Sequence, residues 1–230
     1  YLAVPMLVGF LRAHGADVLP FDANVEAWDE LLAPAALAAV RDRIEARIAA
    51  LETQAALKHE AQLEYARLFA ALADAHAAPR AIAEAKRVLR SADAFYDPDR
   101  YADAVATVEA AQRAISAAYH PLHLDFTAYR TPFGLLTPRD AALEASEERN
   151  PFFRYVAERL IPKLAEARVS ALGISVCFPG QLQPAYAFAH QLRRALPGAH
   201  LTCGGPGITQ MLIRLKGKRL ERALGPFESA

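Results

Sequence analysis

The chain has 230 residues, a formal net charge of zero and a hydrophobic fraction of 53%, much of it alanine. Balanced charge gives no electrostatic case for nucleic acid or an anionic membrane surface, and no apolar run approaches the roughly 18 residues that span a bilayer. Two cysteines, Cys177 and Cys203, make no disulfide framework and lack metal-ligand spacing, which fits the reducing cytoplasm.

Taken in order, residues Leu2 to His14 predict a helix. Pro5 is tolerable in its opening turn, Leu7, Phe10 and Leu11 face one way, and Gly15 is a good stop. Asp17 to Phe21 then reads as a short strand with Asp22-Ala23-Asn24 at its carboxyl end. A helix-first start implies that a first strand, normally the central one, is missing before Leu2. The chain begins with Tyr1 and ends in Pro226–Ala230, which reads as the start of a further strand. It is therefore expected to be a piece of a longer protein.

From Val25 to Arg168 the pattern turns helical. Leu37, Val40, Ile44, Ile48 and Leu51 keep the spacing of one helix face, and Leu68 and Leu72 continue it. Ala77-Ala78-Pro79 is expected to break the run, after which Ile82, Ala85, Leu89 and Ala92 form another stripe ending near Tyr96. Asp97-Pro98 starts a helix carrying Tyr101, Val105, Val108, Gln112 and Ile115 on one face. Two or three long antiparallel helices follow from this, alanine-rich and closely packed, docked beside a sheet as a separate layer. His120 to Pro138 is an irregular loop with aromatics at Phe126, Tyr129 and Phe133, to be packed either under the arm or over a pocket mouth. Asn150 caps a helix from Pro151-Phe152 that returns to the sheet at Val169.

Ala171 to Cys177 is a short, nearly uncharged run, the pattern of a strand covered on both faces. A helix over Pro184–Leu196 follows, with Ala185, Phe188, Ala189, Leu192 and Leu196 apolar, and then a strand over His200–Cys203. Strand, helix, strand at this spacing is a βαβ unit with parallel pairing. Ile208 to Leu215 makes a last short helix.

In open α/β sheets ligands sit beyond the carboxyl ends of the strands. Those ends carry Ser175, Phe178, Pro179, Gly180 and Gln181 on one strand and Gly204, Gly205, Pro206 and Gly207 on the next. The glycines allow close approach of backbone to ligand, and Ser175 offers a hydroxyl. Ordinary turn chemistry for a βα connection explains the same residues. Gly204-Gly205-Pro206-Gly207 is no dinucleotide fingerprint, since its spacing and a first strand before it are lacking. His120 and His123 have a spacing seen in metal sites but no third ligand, so no metal set and no catalytic set is assigned. Trp28 lies at the edge of the proposed pocket, where packing at a helix start accounts for it.

Four stretches carry a resemblance: Tyr1 to Gly15, Phe21 to Asn24, Leu172 to Leu182, and Leu201 to Gly205. In this order they resemble the cobalamin-binding domain that precedes the catalytic barrel in cobalamin-dependent radical S-adenosylmethionine enzymes. Phe95 to Tyr101 and Glu147 to Phe152 are similar to the branch with a long helical insertion. The resemblance implies a flavodoxin-like, Rossmann-like parallel sheet flanked by helices, with an all-α insertion between the second and third strands. Residues 1–24 and 169–230 would form the cobalamin-binding unit and 25–168 the insertion. It further implies that Ser175, Gly204 and Gly205 border the nucleotide tail of cobalamin and that Asp22 and Asn24 lie in the turn after the second strand. No Asp-x-His-x-x-Gly motif is present, so cobalt is expected without a histidine ligand. No Cys-x-x-x-Cys-x-x-Cys is present either. The 4Fe–4S cluster and S-adenosylmethionine are accordingly expected in a following radical domain of the same polypeptide, most simply a C-methyltransferase acting on a peptide or natural product. A receiver-like interaction domain with a helical protein-binding arm and no cofactor is the alternative.

Overall fold

A computed structural model describes residues 3–132 and 142–230. Tyr1, Leu2, Phe133 and Pro138, named above, lie outside the described residues. The first helix, α1 (Ala3–Ala13), ends at Gly15, whose φ of +82° is the left-handed stop that glycine adopts without cost. The expected strand over Asp17–Phe21 does not form, and the segment is an irregular connector. A strand needs a neighbour to take its N–H and C=O groups, and among the described residues no strand pairs with this segment. Asp22 instead caps α2 (Ala23–Leu31), its carboxylate accepting the N–H groups of Asn24 and Val25 at 3.1 Å.

The helical arm consists of α3 (Pro34–Glu52), α4 (His59–Arg90), a single turn α5 (Ala92–Phe95) and α6 (Pro98–Ala118). Pro79 does not end α4, contrary to its reading as a breaker. Proline inside a helix costs about 3 kcal/mol through a lost hydrogen bond and a ring clash together, but Ala71, Ala75, Ala78 and Ile82 form one buried stripe across it. Packing of that stripe against α3 and α6 holds the two halves in line. Asp97 caps α6 as expected, accepting from the amides of Asp99 and Arg100. Leu37, Ile44, Leu68, Ile82 and Ile115 are the fully buried centre of this layer.

A two-residue hairpin, β1 (His123–Leu124) and β2 (Tyr129–Arg130), occupies the start of the aromatic loop. Asn150 then turns the chain, accepting the Phe152 N–H at 2.9 Å, into a composite helix α7. That helix is an α-turn (Phe153–Tyr155), a π-turn (Val156–Leu160) and an α-segment (Ile161–Glu166). Pro162 lacks an N–H, and the widened turn just ahead of it relieves the clash with the preceding carbonyls.

The α/β unit follows: β3 (Ala171–Ser175), a 3₁₀ turn (Pro179–Gln181), α8 (Leu182–Ala195), β4 (His200–Gly204), α9 (Pro206–Leu212) and α10 (Lys218–Leu224). The strands pair in parallel, Ala171 opposite His200 through Ser175 opposite Gly204. Ser229 makes a parallel bridge to Thr202 on the far side of β4, in keeping with the strand start read at 226–230. The pairing is as expected, but the covering of both faces is not. Leu172, Leu201 and Cys203 are buried with Ala185, Ala189 and Leu192 of α8, whereas Ala171, Gly173 and Ser175 are exposed. Alternation of this kind is what a sheet packed on one side shows.

Two main cores result. One joins α3, α4, α6 and the hairpin, and the other joins α7, the strands, α8, α9 and Phe227. Helix α7 thus belongs with the strands, although its residues fall within 25–168. Helix α2 straddles the seam, giving Ala27 to the second core and Leu31 to the first. Trp28 fills the seam edge-on to Phe126 and Phe152, at ring separations of 4.8 and 5.4 Å.

Because the cores are distinct, Ile82→Ala should cost the arm roughly 2–5 kcal/mol without changing hydrogen exchange at residues 172–176. Leu201→Ala should do the reverse, and parallel loss of protection in both layers in either variant would show a single cooperative core. At the C-terminus, Glu228 accepts from Arg193 at 2.7 Å and from the Leu201 N–H at 2.6 Å, which holds its carboxyl down at about 2 against an ordinary 4.5. A depressed carboxyl stabilises fully above its unfolded value and loses that contribution as pH falls toward its folded one. Melting curves of Glu228→Gln should therefore depend less on pH than the unaltered chain between 4.5 and 2. Identical pH profiles would show that this tie carries no stability.

Candidate functional site

Backbone geometry builds the carboxyl ends of β3 and β4. The Val176 N–H donates to the Gly204 carbonyl at 2.7 Å, and the Val176 carbonyl accepts the Gly207 N–H at 3.0 Å. Gly205 sits between them at φ +99°, and a Cβ there would stand 2.5 Å from the Val176 carbonyl oxygen. Gly207 is almost as tight, 3.1 Å from the same oxygen, and Pro206 opens α9 in the position where its missing N–H costs nothing. Gly205, Pro206 and Gly207 are thus explained by the turn itself.

The loop after β3 is also internally satisfied. The Gln181 side-chain oxygen accepts from the Cys177 and Phe178 amides at 2.9 and 3.2 Å, so it closes the loop rather than facing a ligand. Pro179–Gln181 lies under the hairpin, where a Cβ on Gly180 would stand 2.5 Å from the Thr127 carbonyl oxygen. Gln183 of α8 bonds the Thr131 hydroxyl in the same contact. The described part of the aromatic loop is therefore laid over the turn after β3 and the start of α8, with Phe126 turned to Trp28.

Three of the expected residues remain open. Ser175 is exposed at the end of β3, with its hydroxyl 3.7 Å from the Cys177 sulfur. Phe178 is 62% exposed. Gly204 ends β4 with no atom within 4 Å of where a Cβ would stand. Gly173 and Thr202 share this face with Ser175 and Gly204, through the register of the strands. Sequence reading passed over that pair, yet the two-residue alternation 171, 173, 175 was its signal. Asp22 and Asn24 are not brought to the strand ends, because the strand that would carry them there is absent. Asp22 is spent on its cap, and its helix is tied to α7 through Glu26, which accepts from the Tyr155 hydroxyl at 3.0 Å. Burial and that carboxylate raise the Tyr155 pKa.

Two concavities lie elsewhere. A groove of about 530 Å³ between the start of α3 and the end of α4 is lined by Pro34, Lys86, Arg87 and Arg90, but these cations already pair with Asp29 and Glu84. A cavity of about 120 Å³ is lined by Tyr119, His120, Thr131, Glu144 and Arg149. Burial raises the Glu144 carboxyl, which accepts from the Tyr129 hydroxyl, and burial lowers His120. His123 bonds Asp125 at 3.1 Å, apart from His120. Among the described residues no three His, Cys, Asp or Glu side chains gather as a metal site. Burial pushes the Cys203 thiol up to about 11, so that cysteine is an inert core residue. No described helix is long and apolar enough to cross a membrane.

No family model, curated protein or solved structure matches this chain. The strand-end face is consequently judged on its own chemistry: a shallow trough of small residues with one hydroxyl and an exposed aromatic ring beside it. Gly205→Ala should cost at least about 1 kcal/mol, from φ strain and the Val176 clash together. Gly204→Ala should leave the melting temperature within a degree or two, since its site is open. Equal losses in the two variants would refute the distinction between a structural and an available glycine.

Proposed function

We propose that the chain is a cobalamin-binding domain, supplying that cofactor to a radical S-adenosylmethionine enzyme of which it is a part. The observation that carries the reading is the open carboxyl-end trough, with Gly204 unobstructed beside Ser175. A bulky nucleotide tail needs small residues along its path, and Gly173, Ser175, Thr202 and Gly204 provide them on one face. In this reading β3, β4 and the strand begun at Ser229 belong to a flavodoxin-like sheet whose first strand adds at the free edge of β3. When bound, cobalamin supplies a methyl group for transfer, most simply to carbon in a peptide or natural product.

This chain's own part is positional. Ser175 holds a polar group of the tail, Gly173 and Gly204 admit it, and Phe178 shields the corrin edge from water. The hairpin over Gly180 keeps the loop after β3 in place. The 4Fe–4S cluster and S-adenosylmethionine belong to a following domain, and the protein works in the cytoplasm. His200 stands at the other end of β4, roughly 13 Å from Gly204, so the reading assigns no histidine to cobalt. The cobalt(II) paramagnetic resonance spectrum should accordingly lack nitrogen splitting from a protein imidazole.

An arm-based interaction role draws on one observation of its own. Phe95, Tyr96 and Tyr101 form an exposed aromatic cluster, ring centroids 5.1 and 5.3 Å apart about Phe95. Titration with hydroxocobalamin separates the two. Visible spectra should shift at micromolar cofactor, and Gly204→Val should weaken binding at least tenfold while circular dichroism is unchanged. A folded chain, extended by its preceding strand, that produces no spectral change at high micromolar cofactor would leave only the interaction role.

A further inference from the structure

Among the described residues, helix α1 and the open face of the β3–β4 pair are each left without a partner. On α1, Val4, Met6, Leu7, Phe10 and Leu11 are all exposed, Met6 by 69% and Phe10 by 61%, and no residue of the helix is buried. An 11-residue helix is marginal by itself in water, and a contiguous apolar stripe of this kind needs covering. The exposed sheet face offers His200 at its amino end, opposite Ala171, and then Gly173, Ser175, Thr202 and Gly204, side chains too small to cover their own backbone. A pair of parallel strands bare on one side is an incomplete layer.

The two surfaces fit each other in size. Eleven helical residues span roughly 16 Å, and five-residue strands span roughly the same. Large side chains on the helix would meet small ones on the sheet, the arrangement that interdigitates. The tether permits it as well. Phe21 and Ala23 pack against the second core, so the connector 14–22 starts beside the strands, and its extended reach is roughly 30 Å. A membrane surface fits less well, because Arg12 is the only charge on α1.

We propose that α1 is a strap that closes over the open face of β3 and β4, seating Leu7, Phe10 and Leu11 above Gly173 and Thr202. The closure requires no cofactor and describes the unloaded chain, because the tail of the cobalamin reading would take the same face. It completes the second core with a helix on each side of the strands and roofs the trough that holds Ser175.

The test is cross-linking in the full chain. Cys177 is changed to Ser and the buried Cys203 is kept. Phe10→Cys is then paired with Gly173→Cys, where a Cβ meets only the Thr202 methyl, at 3.7 Å. A short bis-maleimide should join the two within one chain in most molecules, and at least tenfold more than Phe10→Cys paired with Arg100→Cys on the arm. Equal yields for the two pairs, or links found only between copies, would overturn the strap, the second result in favour of helix pairing in a dimer. Hydrogen exchange on chains with no introduced cysteine guards against misfolding. Amides of residues 6–11 should exchange at least tenfold more slowly than in Phe10→Asp, and equal rates would likewise overturn it.

Discussion

The backbone of Val176 binds the two strand ends to each other. Its N–H reaches the Gly204 carbonyl and its carbonyl takes the Gly207 N–H, so one residue closes the ladder and starts α9. That carbonyl leaves no room for a side chain at Gly205. The direction of α9, and with it the burial of Ile208 and Leu212 against the strands, follows from this one contact. Much of the glycine in the motif therefore serves the chain's own turn, and Gly204 alone of the three is free to border anything else.

The second organising feature is the seam between the cores. Alanine at 71, 75, 78, 111 and 114 lets α4 and α6 approach closely, and packing of that quality carries α4 through Pro79. The seam itself is aromatic, with Trp28 and Phe152 in contact, and it is flanked by the Glu26–Tyr155 and Glu30–Arg159 pairs between α2 and α7. The exposed Glu30–Arg159 pair contributes little, about 0–1 kcal/mol, so ring packing and the hydroxyl of the buried Tyr155 set how arm and strands sit together. The hairpin extends this contact onto the turn after β3, where Thr127 meets Gly180. An element of the arm thus fixes the loop that borders the trough.

Periodicity alone placed most of the helices and both parallel strands, because 3.6-residue and short apolar patterns are local properties of the chain. Asp97, Asn150 and Gly15 announced their boundaries for the same reason, as caps act within a few residues. Candidate site residues were legible as a group, since glycine and serine after a buried strand mark its carboxyl end. What each of them does was decided by the tertiary structure. Whether a glycine is open, as Gly204 is, or occupied by another segment's carbonyl, as Gly180 and Gly205 are, depends on atoms distant in sequence. Asp17–Phe21 has strand composition but no neighbour to pair with, and Pro79 has a breaker's chemistry but a buried stripe on both sides of it. Backbone pairing and burial are supplied by the rest of the molecule, and they override local preference wherever the two conflict.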